Sequence, residues 1–145
     1  MRKVRLCIVS IMVIGVAGYL SGCANLSSSI SPNTDLKKYE TYYVVRHARD
    51  KRHIDEIIRD EMQVLGLKAQ SGVLESKPAD VDVIVTYEDR WAWDITNYMI
   101  SLTIYFKDAH SNVLLATGQS YRPSLVRRSP DVMARETLAS IFKKK

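Results

Sequence analysis

The sequence predicts an α+β fold in which a largely antiparallel four-stranded sheet carries two helices on one face. Segments of alternating apolar and polar residues indicate strands, and two stretches with apolar residues every three or four positions indicate helices. The order of these elements is β-α-β-β-β-α. Placing both helices on the same sheet face would bury both apolar stripes in a two-layer sandwich.

The first predicted strand and helix occupy residues 39–65. YETYYVV, at residues 39–45, is aromatic and β-branched, which is typical of a strand. Asp50 is a candidate N-cap for the helix that follows, Gly66 is a candidate stop, and the opposite helix side, including Asp55, is predicted to face water. The apolar helix face is formed by Ile54, Ile57, Ile58, Met62 and Leu65.

Three more strands and a second helix complete the predicted fold. Residues 81–87 alternate between apolar and polar, which predicts a strand with one buried face. NYMISLTIYF, at 97–106, is predicted to place Ile100 and Leu102 on one face and Met99 on the other. NVLLATGQSY, at 112–121, is the last strand. Ser-Pro-Asp at 129–131 then favours a helix start, and its apolar stripe comprises Ala134, Leu138, Ile141 and Phe142.

The amino-terminal residues have the layout of an export signal. Three basic residues within 1–5 precede an apolar run at 6–20, which is short for a membrane-spanning helix. LSGC at 20–23 resembles a bacterial lipobox, in which the cysteine thiol accepts a diacylglyceryl group. We therefore predict a lipoprotein signal peptide at 1–22. The alternatives are a permanent transmembrane span and an ordinary secretory signal with a chance cysteine.

Cys23 is the predicted lipidation site, carrying N-acyl and S-diacylglycerol groups, and no other cofactor is predicted. Two or more acyl chains hold a protein stably on a bilayer. Cys7 would leave with the signal, so the mature chain would contain no other thiol. In enterobacterial lipoproteins, which this segment resembles, an Asp after the lipidated cysteine retains the protein at the inner membrane. Ala24 occupies that position here, which favours the periplasmic face of the outer membrane over the inner membrane.

The rest of the chain is predicted to be a tether followed by one domain. The Ser-rich segment NLSSSISPNT at 25–34 is polar and contains Pro32, so residues 23–35 are predicted to be the lipidated cysteine and a flexible tether. Residues 36–145 would form a single globular domain. Removing the three basic residues that precede Cys23 lowers the formal net charge from +5 to +2, which gives no support for nucleic-acid binding.

The sequence contains no motif that predicts catalysis. The three glycines after Cys23 form neither a phosphate-binding loop nor a nucleophile elbow. His47, His53 and His110 do not have the spacing of zinc ligands. We therefore predict a protein that is not an enzyme and has no metal site.

Two segments are candidate binding sites. Basic residues before a helix oppose its dipole, so a role for them in helix stability is not expected. The basic loop that precedes the first predicted helix could bind an anionic lipid or an acidic protein, or could be simply solvated. Its candidate binding residues are Arg46, His47, Arg49, Lys51 and Arg52. Trp91 and Trp93 lie two residues apart on one strand face. They could contact a protein partner or a membrane interface, or pack within the protein.

The chain resembles small Gram-negative envelope lipoproteins whose globular part is a domain of unknown function. The shared features are the lipobox, a KKYETYYVV-like first strand, an ADVDVIVTY-like strand, the strand pair LTIYFKDAHSNVLLATGQS and a closing helix. This resemblance implies an envelope role without an established reaction. We expect a lipid-anchored, non-enzymatic protein that binds or scaffolds an envelope protein or anionic lipid. The alternative is a carrier of lipid or another hydrophobic ligand.

Overall fold

The computed structural model describes residues 24–142. The predicted signal peptide, Cys23 and residues 143–145 lie outside the described residues. The strands are β1 (Asn25–Ile30), β2 (Thr41–Val45), β3 (Lys68–Gly72), β4 (Val83–Asp94), β5 (Thr96–Asp108) and β6 (Leu114–Tyr121). The helices are α1 (Ile54–Val64) and α2 (Pro130–Phe142), and three short 3₁₀ turns lie at Leu36–Lys38, Leu74–Ser76 and Ser124–Val126.

All six strands belong to one mixed sheet in the order β1-β6-β5-β4-β2-β3. β1, β6, β5 and β4 pair antiparallel, whereas β2 runs parallel to both β4 and β3. The two helices contact each other and pack on the sheet, so they lie on the same face. The α+β class is therefore confirmed. The predicted strand number of four is wrong, because β1 and β3 add a strand at each edge.

Both additional strands carry little apolar signal. β1 is NLSSSI, and the predicted flexible tether therefore differs from the structure at these residues, which pair with β6 along their whole length. Ser28 Oγ donates to the Ser140 carbonyl at 2.8 Å, and Ile30 packs against the core. β3 is KAQSG, in which Ala69 supplies the buried apolar contact. Edge strands are held mainly by backbone hydrogen bonds, which composition does not reveal.

α1 joins the parallel strands β2 and β3, as a parallel connection requires. α1 stops just before Gly66, because this glycine adopts a left-handed φ of 83° that does not continue a helix. The Gly66 amide donates to the Gln63 carbonyl at 2.9 Å, and the Leu67 amide donates to the Met62 carbonyl at 3.1 Å. At the other end, Asp50 Oδ2 accepts the Ile54 amide at 2.7 Å. Asp50 thus serves as a capping acceptor, although His53 occupies the N-cap position itself.

The core lies between the sheet and the two helices. The predicted apolar stripes of both helices contribute to it, with Ile58, Met62 and Leu138 fully buried. Asp55, predicted to face water, is instead fully buried, because Arg46 pairs with its carboxylate at 2.9 Å.

A β-bulge changes which residues of β5 reach the core. The pairing between β4 and β5 shifts next to Arg90, where Ser101 is the partner of Arg90 but Met99 is the partner of Trp91. The extra residue, Ile100, reverses the alternation of side chains. Met99 therefore enters the core together with Leu102, whereas the sequence pattern predicted that they lie on opposite faces.

α2 packs closely against β6 at Gly118. A Cβ atom added there would lie 2.8 Å from Ile141 Cδ1 and 2.9 Å from Thr137 Cγ2. Both neighbours belong to a fully packed helix face, so they have little room to move.

Gly118→Ala is therefore expected to lower the free energy of unfolding by about 1–3 kcal/mol through overpacking. Thr117→Ala, at the neighbouring position on the sheet face that the helices do not cover, should change the free energy of unfolding by no more than about 0.5 kcal/mol. Urea unfolding monitored by circular dichroism would measure both. Equal stability of Gly118→Ala and the unmutated protein would contradict the close contact.

Candidate functional site

One end of the sheet gathers most of the predicted site residues. Across four strands, Arg90, Ser101, Tyr121 and Asn25 are successive register partners and form a row. Beyond this row, β4 and β5 continue as a two-stranded hairpin. β2 also ends on this side, so residues 46–53 begin here. We call this region the tip end of the domain.

The hairpin turn exposes large apolar side chains. Trp93 is 73% exposed and Ile95, at the turn, is 93% exposed. Leu125, in the 3₁₀ turn after β6, is 76% exposed. We call Trp93, Ile95 and Leu125 the apolar tip. Trp93 is recognisable in the sequence as one of two tryptophans on a strand, whereas Ile95 and Leu125 are not, because an isolated Ile or Leu in a loop carries no recognisable pattern.

Arg127 holds the turn and the loop together. Its Nη2 pairs with the Asp94 carboxylate, and its Nη1 donates to Thr96 Oγ1 at 3.1 Å. Its guanidinium lies 4.0 Å from the centre of the Tyr98 ring, and its Nε donates to the Ser124 carbonyl at 3.1 Å. The apolar tip is therefore a braced structure rather than a loose turn.

Trp91 has a different environment from Trp93. It packs against the core and is partly buried. The Arg52 guanidinium lies 4.1 Å from its ring centre, and its Nε1 donates to Asp89 Oδ2 at 2.5 Å. Packing, a cation–π contact and a hydrogen bond account for Trp91, so Trp93 is the better candidate for a contact outside the domain.

The basic loop at 46–53 is engaged in part with the domain itself. Arg46 donates to Asp55 at 2.9 Å and to Glu56 at 2.5 Å, in the first turn of α1. These contacts raise the pKa of Arg46, chiefly through the hydrogen bond to Asp55. Arg46 therefore neutralises acidic groups that the helix dipole favours.

The remaining loop residues divide into paired and free groups. His47 Nε2 lies 3.3 Å from Asp89 Oδ1, and His53 Nδ1 lies 3.1 Å from Glu56 Oε1. Arg49 and Lys51 are exposed and form no ion pair within residues 24–142. These two cations are thus available to an anionic partner.

Asp50 organises the base of this loop. Its Oδ2 accepts the Tyr87 hydroxyl at 2.5 Å as well as the Ile54 amide. Burial acts to raise the pKa of Asp50, but the hydrogen bonds from Tyr87 and from the amides of Arg52, Ile54 and Asp55 outweigh it and lower the pKa. Burial and this same carboxylate raise the pKa of Tyr87. Asp50 therefore stays ionised and Tyr87 stays protonated.

Asp50→Ala is expected to cost about 0.5–2 kcal/mol of stability at neutral pH through loss of the capping acceptor. Because folding lowers the Asp50 pKa, its charge stabilises the fold above about pH 4 and this contribution is lost as pH falls through the folded-state pKa. Urea unfolding at several pH values should show that the difference in free energy of unfolding between Asp50→Ala and the unmutated protein becomes smaller as the pH falls. Asp60→Ala, at an exposed position, is the control. A gap that widens toward acid would contradict the lowered pKa.

His53, Asp55 and Glu56 approach one another within 4.8 Å, as metal ligands do. Asp55 Oδ2 is also buried without a hydrogen-bond partner. Arg46, however, already binds both carboxylates, and its positive charge opposes a divalent cation at the same oxygens. The donor set therefore does not fit a metal ion.

The sheet face opposite the helices forms a shallow groove of about 510 Å³. Its lining is dominated by hydroxyl and amide side chains, including Ser27, Ser29, Thr103, Thr117 and Gln119. Glu88 and Arg90 supply one charge of each sign. We call this surface the open face. It offers hydroxyl and amide groups for hydrogen bonds, together with apolar surface from residues such as Tyr105 and Tyr121. This surface could not be predicted from the sequence, because one wall of the groove lies on the unpredicted strand β1.

No helix among residues 24–142 is both long and apolar enough to cross a membrane. Neither protein-family models nor curated proteins give a match to this chain.

Solved structures share the fold at low sequence identity. A PelC dodecamer from Paraburkholderia phytofirmans, carrying one leucine-to-methionine substitution, is 11% identical, with a TM-score of 0.60 over 82% of this chain and 97% of that one. A PDZ domain protein from Parabacteroides distasonis is 11% identical, with a TM-score of 0.55 over 83% of this chain and 35% of that one. A minor lipoprotein from Acinetobacter baumannii is 12% identical over 73% of this chain and 91% of that one, with a TM-score of 0.36 that is too low to support a relationship. The first two likenesses show a common fold and nothing about activity.

Arg127→Ala is expected to loosen the hairpin while lowering global stability by no more than about 1 kcal/mol, because its ion pair is partly exposed. Amide hydrogen exchange at residues 91–99 should become faster. Arg59→Ala, which removes a comparable surface pair with Asp60, should leave that segment unchanged. Unaltered exchange in Arg127→Ala would show that the turn is held by its strand pairing alone.

Proposed function

We propose that this protein is a lipoprotein anchored through Cys23 at the periplasmic face of the outer membrane. Its domain binds or scaffolds an envelope component and catalyses no reaction. The LSGC sequence at 20–23 carries this proposal, and the position of β1 determines where the anchor would meet the domain. Asn25 is already in the sheet, and Cys23 lies two residues before it. Acyl chains on Cys23 would therefore hold the folded domain directly at the membrane surface.

The open face supports the binding role. The helices leave this sheet face uncovered, and its side chains are mainly hydroxyls, amides and one pair of opposite charges. Surfaces of this kind bind through hydrogen bonds to polar groups. The proposed partner is therefore an envelope component with polar groups that can form hydrogen bonds to this face.

The alternative role, carriage of a lipid or other hydrophobic ligand, has less support. Such a site needs an enclosed and mainly apolar cavity. The grooves of about 510 and 600 Å³ in the described part of the chain are open to solvent rather than enclosed. Side chains of the sheet and both helices fill the space between the layers.

Cys23→Ala is expected to abolish incorporation of a labelled fatty acid and to remove the protein from the outer-membrane fraction. Cys7→Ala is the matched control, because Cys7 lies within the predicted signal peptide and should not be acylated. Metabolic labelling and density-gradient fractionation of cells would measure both. Labelling that persists in Cys23→Ala would contradict the proposed anchor.

A photoreactive amino acid at Gln119, on the open face, should crosslink in intact cells to an envelope component identifiable by mass spectrometry. The same probe at Val64, which is 75% exposed on the helix layer, should give a much lower yield of that adduct. Equal yields from both positions would show that the open face has no preferred role in binding.

A further inference from the structure

The proposed anchor and the apolar tip lie at the same end of the domain. β1 begins in the register row of Arg90 and Tyr121, and the β4–β5 hairpin extends past that row. The two residue steps from Cys23 to Asn25 span at most about 7 Å of extended chain. The four residue steps from Arg90 to Asp94 advance about 13 Å along the strand. A bilayer that takes up acyl chains from Cys23 therefore lies within reach of the hairpin turn.

The side chains at the turn suit the boundary between lipid headgroups and acyl chains. Tryptophan favours this layer because its ring is apolar while its Nε1 can donate a hydrogen bond. Ile95, in the turn, and Leu125, in the loop that Arg127 joins to the turn, add exposed apolar area. Arg127 braces these residues in place by bonds to Asp94, Thr96 and Ser124. Trp93 and Ile95 lie two residues apart at the hairpin turn, and exposed apolar side chains that lie together mark interaction sites.

The charges at the tip end also favour an anionic membrane surface. Arg49, Lys51 and Arg128 are exposed cations at this end. Most nearby carboxylates are already engaged: Asp50 by Tyr87 and amides, Asp89 by Trp91 and His47, and Asp94 by Arg127, whereas Glu88 lines the same groove as Arg49. The tip end therefore carries cations that form no ion pair within residues 24–142. Cations close to an anionic leaflet strengthen attachment by attraction to lipid phosphate.

We propose that the apolar tip inserts into the surface of the anionic bilayer that holds the Cys23 lipid, with Trp93 at the headgroup boundary and Arg49, Lys51 and Arg128 facing lipid phosphate. This inference rests on the proposed lipid anchor. It gives the domain one fixed orientation, with the tip end against the membrane. Trp91 remains within the protein, packed between Arg52 and the core.

The two tryptophans of the chain allow a direct test. The full-length lipidated protein is purified and reconstituted into vesicles of phosphatidylcholine and phosphatidylglycerol, with or without bromine on the acyl chains, which quenches tryptophan on contact. Trp91→Phe leaves Trp93 as the sole reporter, and Trp93→Phe leaves Trp91. Trp93 should lose most of its emission in brominated vesicles and be protected from acrylamide, whereas Trp91 should show little quenching by bromine.

A second comparison does not depend on the folding of Trp91→Phe. Bromine quenching of the unmutated protein should largely disappear in Trp93→Phe, which changes an exposed residue. Mass spectrometry of the amino-terminal peptide from the same samples reports acylation. Acylated protein whose Trp93 is unquenched by bromine and open to acrylamide would overturn the inference, leave the anchor standing and point to a protein partner. An unacylated Cys23 would overturn the anchor and the inference together.

Discussion

The two helices must bury their apolar stripes on one face of the sheet, and the remaining features of the molecule depend on this constraint. α2 reaches β6 so closely that Gly118 has no space for a side chain. α1 is held beside α2 by the bidentate pair of Arg135 and Glu61, with both N–O distances at 2.8 Å. Because both helices occupy the same layer, the opposite sheet face remains uncovered and polar.

The sequence pattern predicted those parts of the fold whose formation depends on apolar burial. The helix stripe from Ile54 to Met62 and the alternation of Val83 and Val85 are signals of this kind, and both correspond to core residues. β1 and β3 could not be predicted in the same way, because backbone pairing holds them and their side chains bury little. The bulge at Ile100 could not be predicted either. One extra residue in a strand reverses which side chains face inward but does not give the strand a distinctive composition.

The candidate site could be predicted only in outline. The basic loop and the tryptophan pair were evident from composition, but the sequence could not distinguish internal roles from external ones. Arg46 pairs with Oδ1 of Asp55, a residue predicted to face water, and Arg52 stacks on Trp91. Only long-range contacts reveal that these cations are engaged while Arg49 and Lys51 are not. Leu125 becomes a candidate for an outside contact only because Arg127 joins its loop to the hairpin that carries Trp93 and Ile95, and no local pattern encodes this connection.

The register of β1 has a consequence for how partners could meet this domain. With the first strand starting at the proposed anchor, the strands would stand upright on the bilayer and the open face would look sideways, parallel to the membrane plane. A partner would then approach laterally. Components that diffuse within or along the same leaflet would encounter this surface in two dimensions, at a fixed height and angle. A freely diffusing periplasmic molecule would have no such advantage.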